Sequence, residues 1–579
     1  MSSPFENASN FNIEGGTHIY AKNYHHHHYG ERPPKSSIEK LRDYIAAGAL
    51  HNSAERCDAP KCHPETRVAV QDEVVSWICD GDSDDMPKEI MWVTGPAGSG
   101  KTAIMGSVAD TCQGKGTLGA THFFSSFSGS ANRRSKRYFV PTLAYQFIQH
   151  KAMTQIAARI LSAIDDNPAI FEQNLEVQFD QLILEPLRAC RDRPPLPQWP
   201  KVILIDGLDE CEADQYQDTT RSNPPSRSRE DDQIEILTVL KKAASNPGFP
   251  FRIVIASRPE HAIKRFFADV AKSLTRELFL DGKYNPDADM ALFLESKFAN
   301  IRRESHLPSS WPGEDVPRTL ISNASGQFIY VATVGRFMEV SSGDPEKLLK
   351  QVLQLPGFMA STNALAPLDA LYTHILSSSP DPPLSILWLN FIFREKYLEK
   401  QSWDPDRGPT TRSPAATLVR LYLESYPGQA SHAFRNLNSL ISIPSMEDDN
   451  TPYRLYHKSL VDFLQERSRS GTLYVESKVV LEHFIDRYLH LWKSRGPERS
   501  LTPQERKLFF DSFFWYSTVS SVFSKSAEEV SRLDTIILSC DAVWWVKRSV
   551  EFEDYWTPET PAAVIWAFCK VHAMVSAIV

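Results

Sequence analysis

Apolar positions set the first division of the chain. Short apolar runs at residues 90–93, 121–127, 201–205 and 251–256 have the length and composition of buried strands. Between them, residues 102–109 and 143–148 carry helical spacing. Strands that alternate with helices predict an α/β unit whose parallel sheet is covered on both faces. Upstream, residues 38–50 and 68–78 are helical in spacing, with Val70, Val74, Val75 and Ile78 on one side. The polar stretch 216–233, rich in Pro, Ser and Asp, reads as an exposed loop.

Beyond about residue 280 the strand signal fades. Residues 289–303, 316–339, 369–377 and 383–393 predict helices, with Pro- and Ser-rich breaks at 379–383 and 403–414. Residues 453–464 and 479–492 are helix-rich, and 472–475 allows a short hairpin. The last 70 residues are aromatic and helical in pattern, with Phe509, Phe510, Phe513, Phe514, Trp515 and Tyr516 in close succession. No repeat of 20–50 residues recurs. At the other end, Phe11, Ile13, Thr17 and Ile19 alternate around Gly15-Gly16, before the tract His25 to His28. That arm is either without structure or a short hairpin.

Charge and cysteines narrow the classes. The 579 residues carry 63 Lys+Arg against 72 Asp+Glu, a formal net charge of −9, so no basic excess points to nucleic acid. Eight scattered cysteines do not make a disulfide framework, and reduced thiols in a cytoplasmic protein are the expectation. Cys57, Cys62 and His63 lack a second ligand pair at zinc spacing. No secretory signal opens the chain, and its longest apolar stretch, 562–579, is broken by Lys570 and His572, so no membrane span is expected.

The chemistry lies at the ends of three apolar runs. Gly95, Pro96, Ala97, Gly98, Ser99, Gly100, Lys101 and Thr102 fit G-x-x-x-x-G-K-[ST] between a strand and a helix. Such glycines turn backbone N–H groups around a phosphate at the positive end of a helix. Lys101 brings a charge to the β- and γ-phosphates, and the Thr102 hydroxyl suits Mg²⁺. The run at 202–205 ends in Asp206, an acid placed to hold the Mg²⁺ shell beside Thr102, followed by Asp209 and Glu210 within reach of an attacking water. A further run ends in Ser257, Arg258 and Pro259. Arg258 then stands at the same sheet edge, either reading the γ-phosphate or pairing with a carboxylate.

A P-loop, a strand ending in Asp-Gly-Leu-Asp-Glu and a strand ending in Ser-Arg-Pro resemble a NACHT NTPase of the signal-transducing STAND class. More narrowly, the chain resembles fungal NACHT proteins with a nephrocystin-like P-loop domain. Cys-His-Pro-Glu-Thr-Arg at 62–67, Val-Pro-Thr-Leu-Ala-Tyr-Gln at 140–146, Gly-Gln-Phe-Ile-Tyr-Val-Ala at 326–332 and the block 455–464 look like that family's recurring segments. The resemblance spans residues 38–495.

It implies a NACHT P-loop domain over 38–275, a helical domain over 276–378 and a winged-helix-like domain over 379–495, between the arm over 1–37 and the C-terminal helical region over 496–579 that the residue pattern marks off. It also implies ATP or ADP with Mg²⁺ as ligands, slow hydrolysis, and self-association on activation together with an unidentified protein partner. By the same resemblance, Thr66 and Arg67 approach the base or ribose. His457 is either a β-phosphate contact in a closed, diphosphate-bound form or a buried structural histidine. No N-K-x-D or T-K-x-D follows the P-loop, which favours ATP over GTP. No arginine finger is evident in cis, and Arg133 or Arg134 is a candidate to supply one in trans. The expected function is a nucleotide-controlled switch. The alternatives are a nucleotide-binding scaffold without turnover and a remodelling ATPase.

Overall fold

A computed structural model describes residues 35–56, 61–81, 88–126, 131–190, 199–213, 227–280, 284–341, 343–357, 363–395, 398, 400–404, 408–412, 414–448, 450–497, 499–513 and 544–545. The arm at 1–34, residues 216–226 of the expected loop and the aromatic residues from 514 to 516 lie outside them, and residues 229–233 of that stretch begin a helix, with Ser228 as its N-cap, instead of continuing the loop. Ser37–Val579 forms one compact unit.

Helices α1 (Ser37–Asp43) and α2 (Val68–Asp80) precede β1 (Ile90–Thr94), which feeds the glycine-rich loop and α3 (Lys101–Gly114). Then come β2 (Leu118–Phe123), α4 (Phe139–Gln149), α5 (Thr154–Asp166), α6 (Leu175–Phe179) and α7 (Glu185–Arg188). β3 (Val202–Asp206), α8 (Arg229–Ala244), β4 (Arg252–Ser257), α9 (His261–Arg265) and β5 (Thr275–Phe279) complete the α/β unit. The five strands are parallel in the order β2-β3-β4-β1-β5. The inner strands are buried along their length, and successive side chains go to opposite faces. Met91, Val93, Leu204 and Val254 face α2 and α3, while Trp92, Ile203, Ile205 and Ile255 face the layer of α4 to α8. With both faces covered, the strands read as near-continuous apolar runs.

The edges are handled differently. On β2, the Gln146 amide of α4 accepts from the Thr121 backbone N–H at 2.9 Å and donates to its carbonyl at 2.8 Å, which closes that edge to further pairing. β5, the other edge, is the strand that the hydrophobic pattern does not predict. Only Leu278 is buried in it, because it pairs with β1 alone, and Arg276 and Glu277 interrupt its apolar run.

The remainder is mainly helical: α10 (Pro286–Glu304), α11 (Asp315–Ala324), α12 (Phe328–Val340), α13 (Pro345–Leu353), α14 (Ala366–Ser377) and α15 (Pro382–Leu389). An antiparallel pair follows, β6 (Lys400–Asp404) and β7 (Gly408–Arg412), in the stretch that its composition marks as a break. α16 (Ala416–Leu423), α17 (Gln429–Ala433) and the two-residue strands β8 (Ile441–Ser442) and β9 (Arg454–Leu455) lead to α18 (Ser459–Gln465) and α19 (Arg467–Ser470). α20 (Ser477–Lys493) and α21 (Pro503–Phe513) end the described helices. Residues 471–473 form a helical turn in place of the expected hairpin. One hydrophobic cluster runs through this region from Met290 to Trp545.

Two junctions position the site. The single helix expected over 316–339 is two helices, because Ser325 and Gly326 both take left-handed backbone and redirect the chain so that α12 begins against the P-loop. The segment before α2 is tied to α10. His63 Nε2 lies 3.0 Å from Ser296 Oγ, and the Arg67 N–H donates to Asp289 Oδ1 at 2.9 Å.

Candidate functional site

All three sequence motifs open at the carboxyl edge of the sheet, on adjacent strands. β1 ends in the P-loop, β3 in Asp206 and β4 in Ser257-Arg258, and β4 lies between the other two. In the P-loop, Gly98 and Gly100 take φ of +77° and +90°. A Cβ on Gly98 would overlap the Ile329 side chain, and the Ile329 N–H donates to the Gly98 carbonyl at 3.2 Å. The start of α12 is therefore seated on the loop.

Lys101 folds back over this loop. Its Nζ donates to the carbonyls of Gly95 at 2.8 Å and Pro96 at 2.9 Å, and lies 3.4 Å from Ser99 Oγ. Burial pulls its pKa down to about 8, opposed by the charge of Asp209. The Thr102 side chain lies close enough to Asp206 to favour its charged form, and Asp206 is 2% exposed. Burial pushes the Asp206 carboxyl up to about 6, against the opposing charge of Arg56. Asp206 Oδ1 has no hydrogen-bond partner. A buried, unpaired carboxylate oxygen beside a threonine hydroxyl, in an oxygen-donor pair, fits a hard divalent cation such as Mg²⁺.

Gly207 takes φ of +70° directly after Asp206 and turns the chain toward Asp209 and Glu210. Asp209 is bonded to the third motif: Oδ1 accepts from the Arg258 N–H at 3.0 Å, and Oδ2 lies 3.4 Å from Arg258 Nε. Glu210 Oε2 accepts from the Ser126 N–H at 3.0 Å. Burial pushes Glu210 up to about 7, and the nearby Lys458 ammonium opposes the rise. Arg258 Nη1 donates to Asp462 Oδ2 at 2.7 Å, an ion pair with α18, 204 residues away in sequence.

His457 belongs to the same constellation. The Ser459 N–H donates to its Nδ1 at 3.1 Å, and an N–H can only donate, so Nδ1 accepts and the neutral ring carries its proton on Nε2. The Ser459 hydroxyl bonds both Nδ1 at 2.6 Å and the Tyr372 hydroxyl at 2.7 Å. Burial and the charges of Arg258 and Lys101 pull the ring down to about 3, so it is neutral at physiological pH.

The structure thus brings together Lys101, Thr102, Asp206, Asp209, Glu210, Arg258 and His457. Sequence reasoning missed Lys458 and Asp462, which come from the segment that carries His457. Arg67 supports the loop from behind, with Nη2 donating to the Ser99 carbonyl at 3.1 Å, and the Thr66 hydroxyl is turned to the His63 carbonyl at 2.7 Å. Arg133 and Arg134 are buried. Arg133 Nε donates to the Phe123 carbonyl, and Arg134 pairs with Glu212, so neither reaches outward as an arginine supplied in trans must.

Residues 68–258 match the family described as Nephrocystin 3, N-terminal. The α/β unit is a P-loop domain. Among curated proteins nothing matches. A solved structure of the Aeropyrum pernix ORC2 protein, in ADPNP-ADP complexes, matches at 14% identity and a TM-score of 0.28, over 76% of this chain and 98% of that one. Among the described residues, no helix of the P-loop domain or of the region after it is long and apolar enough to cross a membrane.

Proposed function

We propose that the protein is a nucleotide-controlled switch of the NACHT/STAND class, taking ATP or ADP with Mg²⁺ and hydrolysing slowly. The observation that carries this reading is the segment from His457 to Asp462, which is bonded to the third motif through Arg258 and brings charge near the other two. Asp462 pairs with Arg258 at 2.7 Å, Lys458 acts on Glu210, and His457 lies within the field of Lys101. The arrangement is a closed form in which the helical region holds the residues that a triphosphate would engage.

In this mechanism the P-loop amides and Lys101 bind the phosphate tail, with the ammonium exchanging loop carbonyls for phosphate oxygens. Thr102 and Asp206 would hold Mg²⁺, which would supply charge neutralisation at the phosphate tail. Glu210 orients the attacking water, and Asp209 holds Arg258 in place. Arg258 leaves Asp462 for the γ-phosphate, and His457 donates from Nε2 to a β-phosphate in the diphosphate form.

Magnitudes decide how many contacts must change. One hydrogen bond between charged groups contributes about 1.5–3 kcal/mol, whereas moving a two-state equilibrium from about 1:99 to 99:1 takes about 5.5 kcal/mol. The Arg258 exchange alone is too small, so His457 and Lys458 must change partners with it. The division into a helical domain over 276–378 and a winged-helix-like domain over 379–495 belongs to this reading, supported by the small β8–β9 ribbon ahead of α18. So do a cytoplasmic setting, self-association on opening, an unidentified protein partner, and a role in fungal non-self recognition or regulated cell death. The test is to identify nucleotide bound to the purified full chain and to measure its mass with ADP and with a non-hydrolysable triphosphate. Bound nucleotide and a larger species with triphosphate are expected, and a chain that binds neither nucleotide sinks the reading.

A further inference from the structure

Arg56 ends the short turn Ala54–Arg56, ahead of the P-loop domain proper, and is only 7% exposed. Its guanidinium lies over the Phe123 ring, with Cζ 3.6 Å from the ring centroid. Phe123 is the last residue of β2 and the in-register partner of Asp206 on β3. Partners in a parallel register project to the same face of the sheet, and Phe123 packs in the cluster of α2 and α3. Arg56 therefore stands on the face where Asp206 meets Thr102.

Both groups have hydrogen-bonding capacity left over. Arg56 Nε is buried without a hydrogen-bond partner. Asp206 Oδ1 is equally without a partner, and the two residues do not form a contact ion pair, although each lies within the field of the other. A second buried guanidinium, Arg133, adds to the local positive charge, and its Nε is already used on Phe123. Burying a guanidinium with its Nε–H unmet is unfavourable, and an anionic acceptor would relieve that cost. The planar donor fork of arginine matches phosphate oxygens.

We propose that Arg56 is an arginine of the nucleotide site supplied in cis, donating to the terminal phosphate of a nucleoside triphosphate beside Thr102 and Asp206. The segment before the P-loop domain is then part of the device that tells triphosphate from diphosphate. This rests on the nucleotide reading above and extends it to a residue outside the three motifs.

The test compares full-length wild type, Arg56→Met and Arg56→Lys, with Mg²⁺ present, by titrating fluorescent ADP and a fluorescent non-hydrolysable triphosphate. Arg56→Met is expected to lose about tenfold or more in triphosphate affinity, the equivalent of one charged hydrogen bond. Its ADP affinity should stay unchanged and its ligand-free melting temperature should not fall, since an unpaired buried charge has been removed. Arg56→Lys keeps the charge without the fork and should fall between the two, and it carries the comparison if the methionine variant does not fold. An unchanged triphosphate-to-diphosphate ratio overturns the proposal, as does an equal loss of both affinities together with a lower melting temperature. If the wild type binds neither nucleotide, the underlying reading fails first, and the proposal with it.

Discussion

Replacing Asp462 by Asn is the most direct probe of the proposed closed form. The substitution keeps the shape of the side chain and removes the charge that accepts from Arg258 Nη1 at 2.7 Å. Both partners are partly screened, at 22% and 23% exposed, and Arg258 keeps Asp209 at 3.4 Å. The loss therefore belongs at the lower end of the range for charged hydrogen bonds, about 1.5 kcal/mol, or roughly tenfold in the closed-to-open ratio. The Arg258 guanidinium, no longer held by a carboxylate on α18, becomes available to a γ-phosphate. Equilibrium titration with fluorescent ADP and a non-hydrolysable triphosphate should show the triphosphate-to-diphosphate affinity ratio rising about tenfold. Hydrogen exchange in α18 should quicken in the ligand-free protein. A double-mutant cycle with Arg258→Ala isolates the pair and should give a coupling of about 1 kcal/mol or more. A folded variant with an unchanged affinity ratio and no coupling would falsify a switching role for the Arg258–Asp462 pair.

Asp206→Asn should bind triphosphate with an affinity that no longer responds to Mg²⁺, since the only charged ligand of the Thr102–Asp206 pair is gone; retained tightening by Mg²⁺ removes Asp206 from that role. Turnover should rise with pH through about 7 as Glu210 ionises, and Lys458→Gln should move that limb to higher pH, because removing a cation raises a neighbouring carboxyl. An unmoved limb would separate Lys458 from Glu210. Above about pH 8, ligand-free Lys101 loses its proton, so triphosphate affinity should weaken. Over the same range the unfolded chain holds more protons at this group than the folded chain, so its contribution to stability rises with pH up to the ordinary lysine value. Gly98→Ala should unseat α12 from the P-loop, because the added Cβ meets Ile329 and the residue needs φ of +77°. Lower nucleotide affinity with a small change in melting temperature is expected, and wild-type affinity would show that the α12 contact is dispensable.

Most of the P-loop domain was legible because its information is local. An inner parallel strand is apolar on both faces, so β1, β3 and β4 announce themselves, and each motif follows its strand without a gap. β5 was not legible, since an edge strand with one neighbour can carry Arg276 and Glu277 in mid-run. The β6–β7 pair was hidden for a related reason: its polar sequence includes Pro409, and the ladder is set by cross-strand pairing and not by an apolar period. Asp462 sat inside a quoted block, five residues after His457, yet no spacing rule says that it reaches Arg258. Arg56 carried no signal at all, because only the folded register of Phe123 with Asp206 gives it a place.

The residues that bind phosphate in this reading occupy one sheet edge, whereas those that sense what is bound come from both flanks, at Arg56 and at His457 to Asp462. This separation has a thermodynamic consequence. A ligand shifts a conformational equilibrium only by the difference in its free energies of binding to the two forms. P-loop contacts present in both forms give affinity and no switching, however strong they are. Contacts that exist in one form alone, such as Asp462 with Arg258, give switching and, by linkage, must appear in the nucleotide preference by the same amount. Changes in the loop should therefore scale ATP and ADP affinity together, while changes in the flanks should alter their ratio. Affinity and discrimination are then separable properties of one site, carried by residues that are neighbours in space and far apart in the chain.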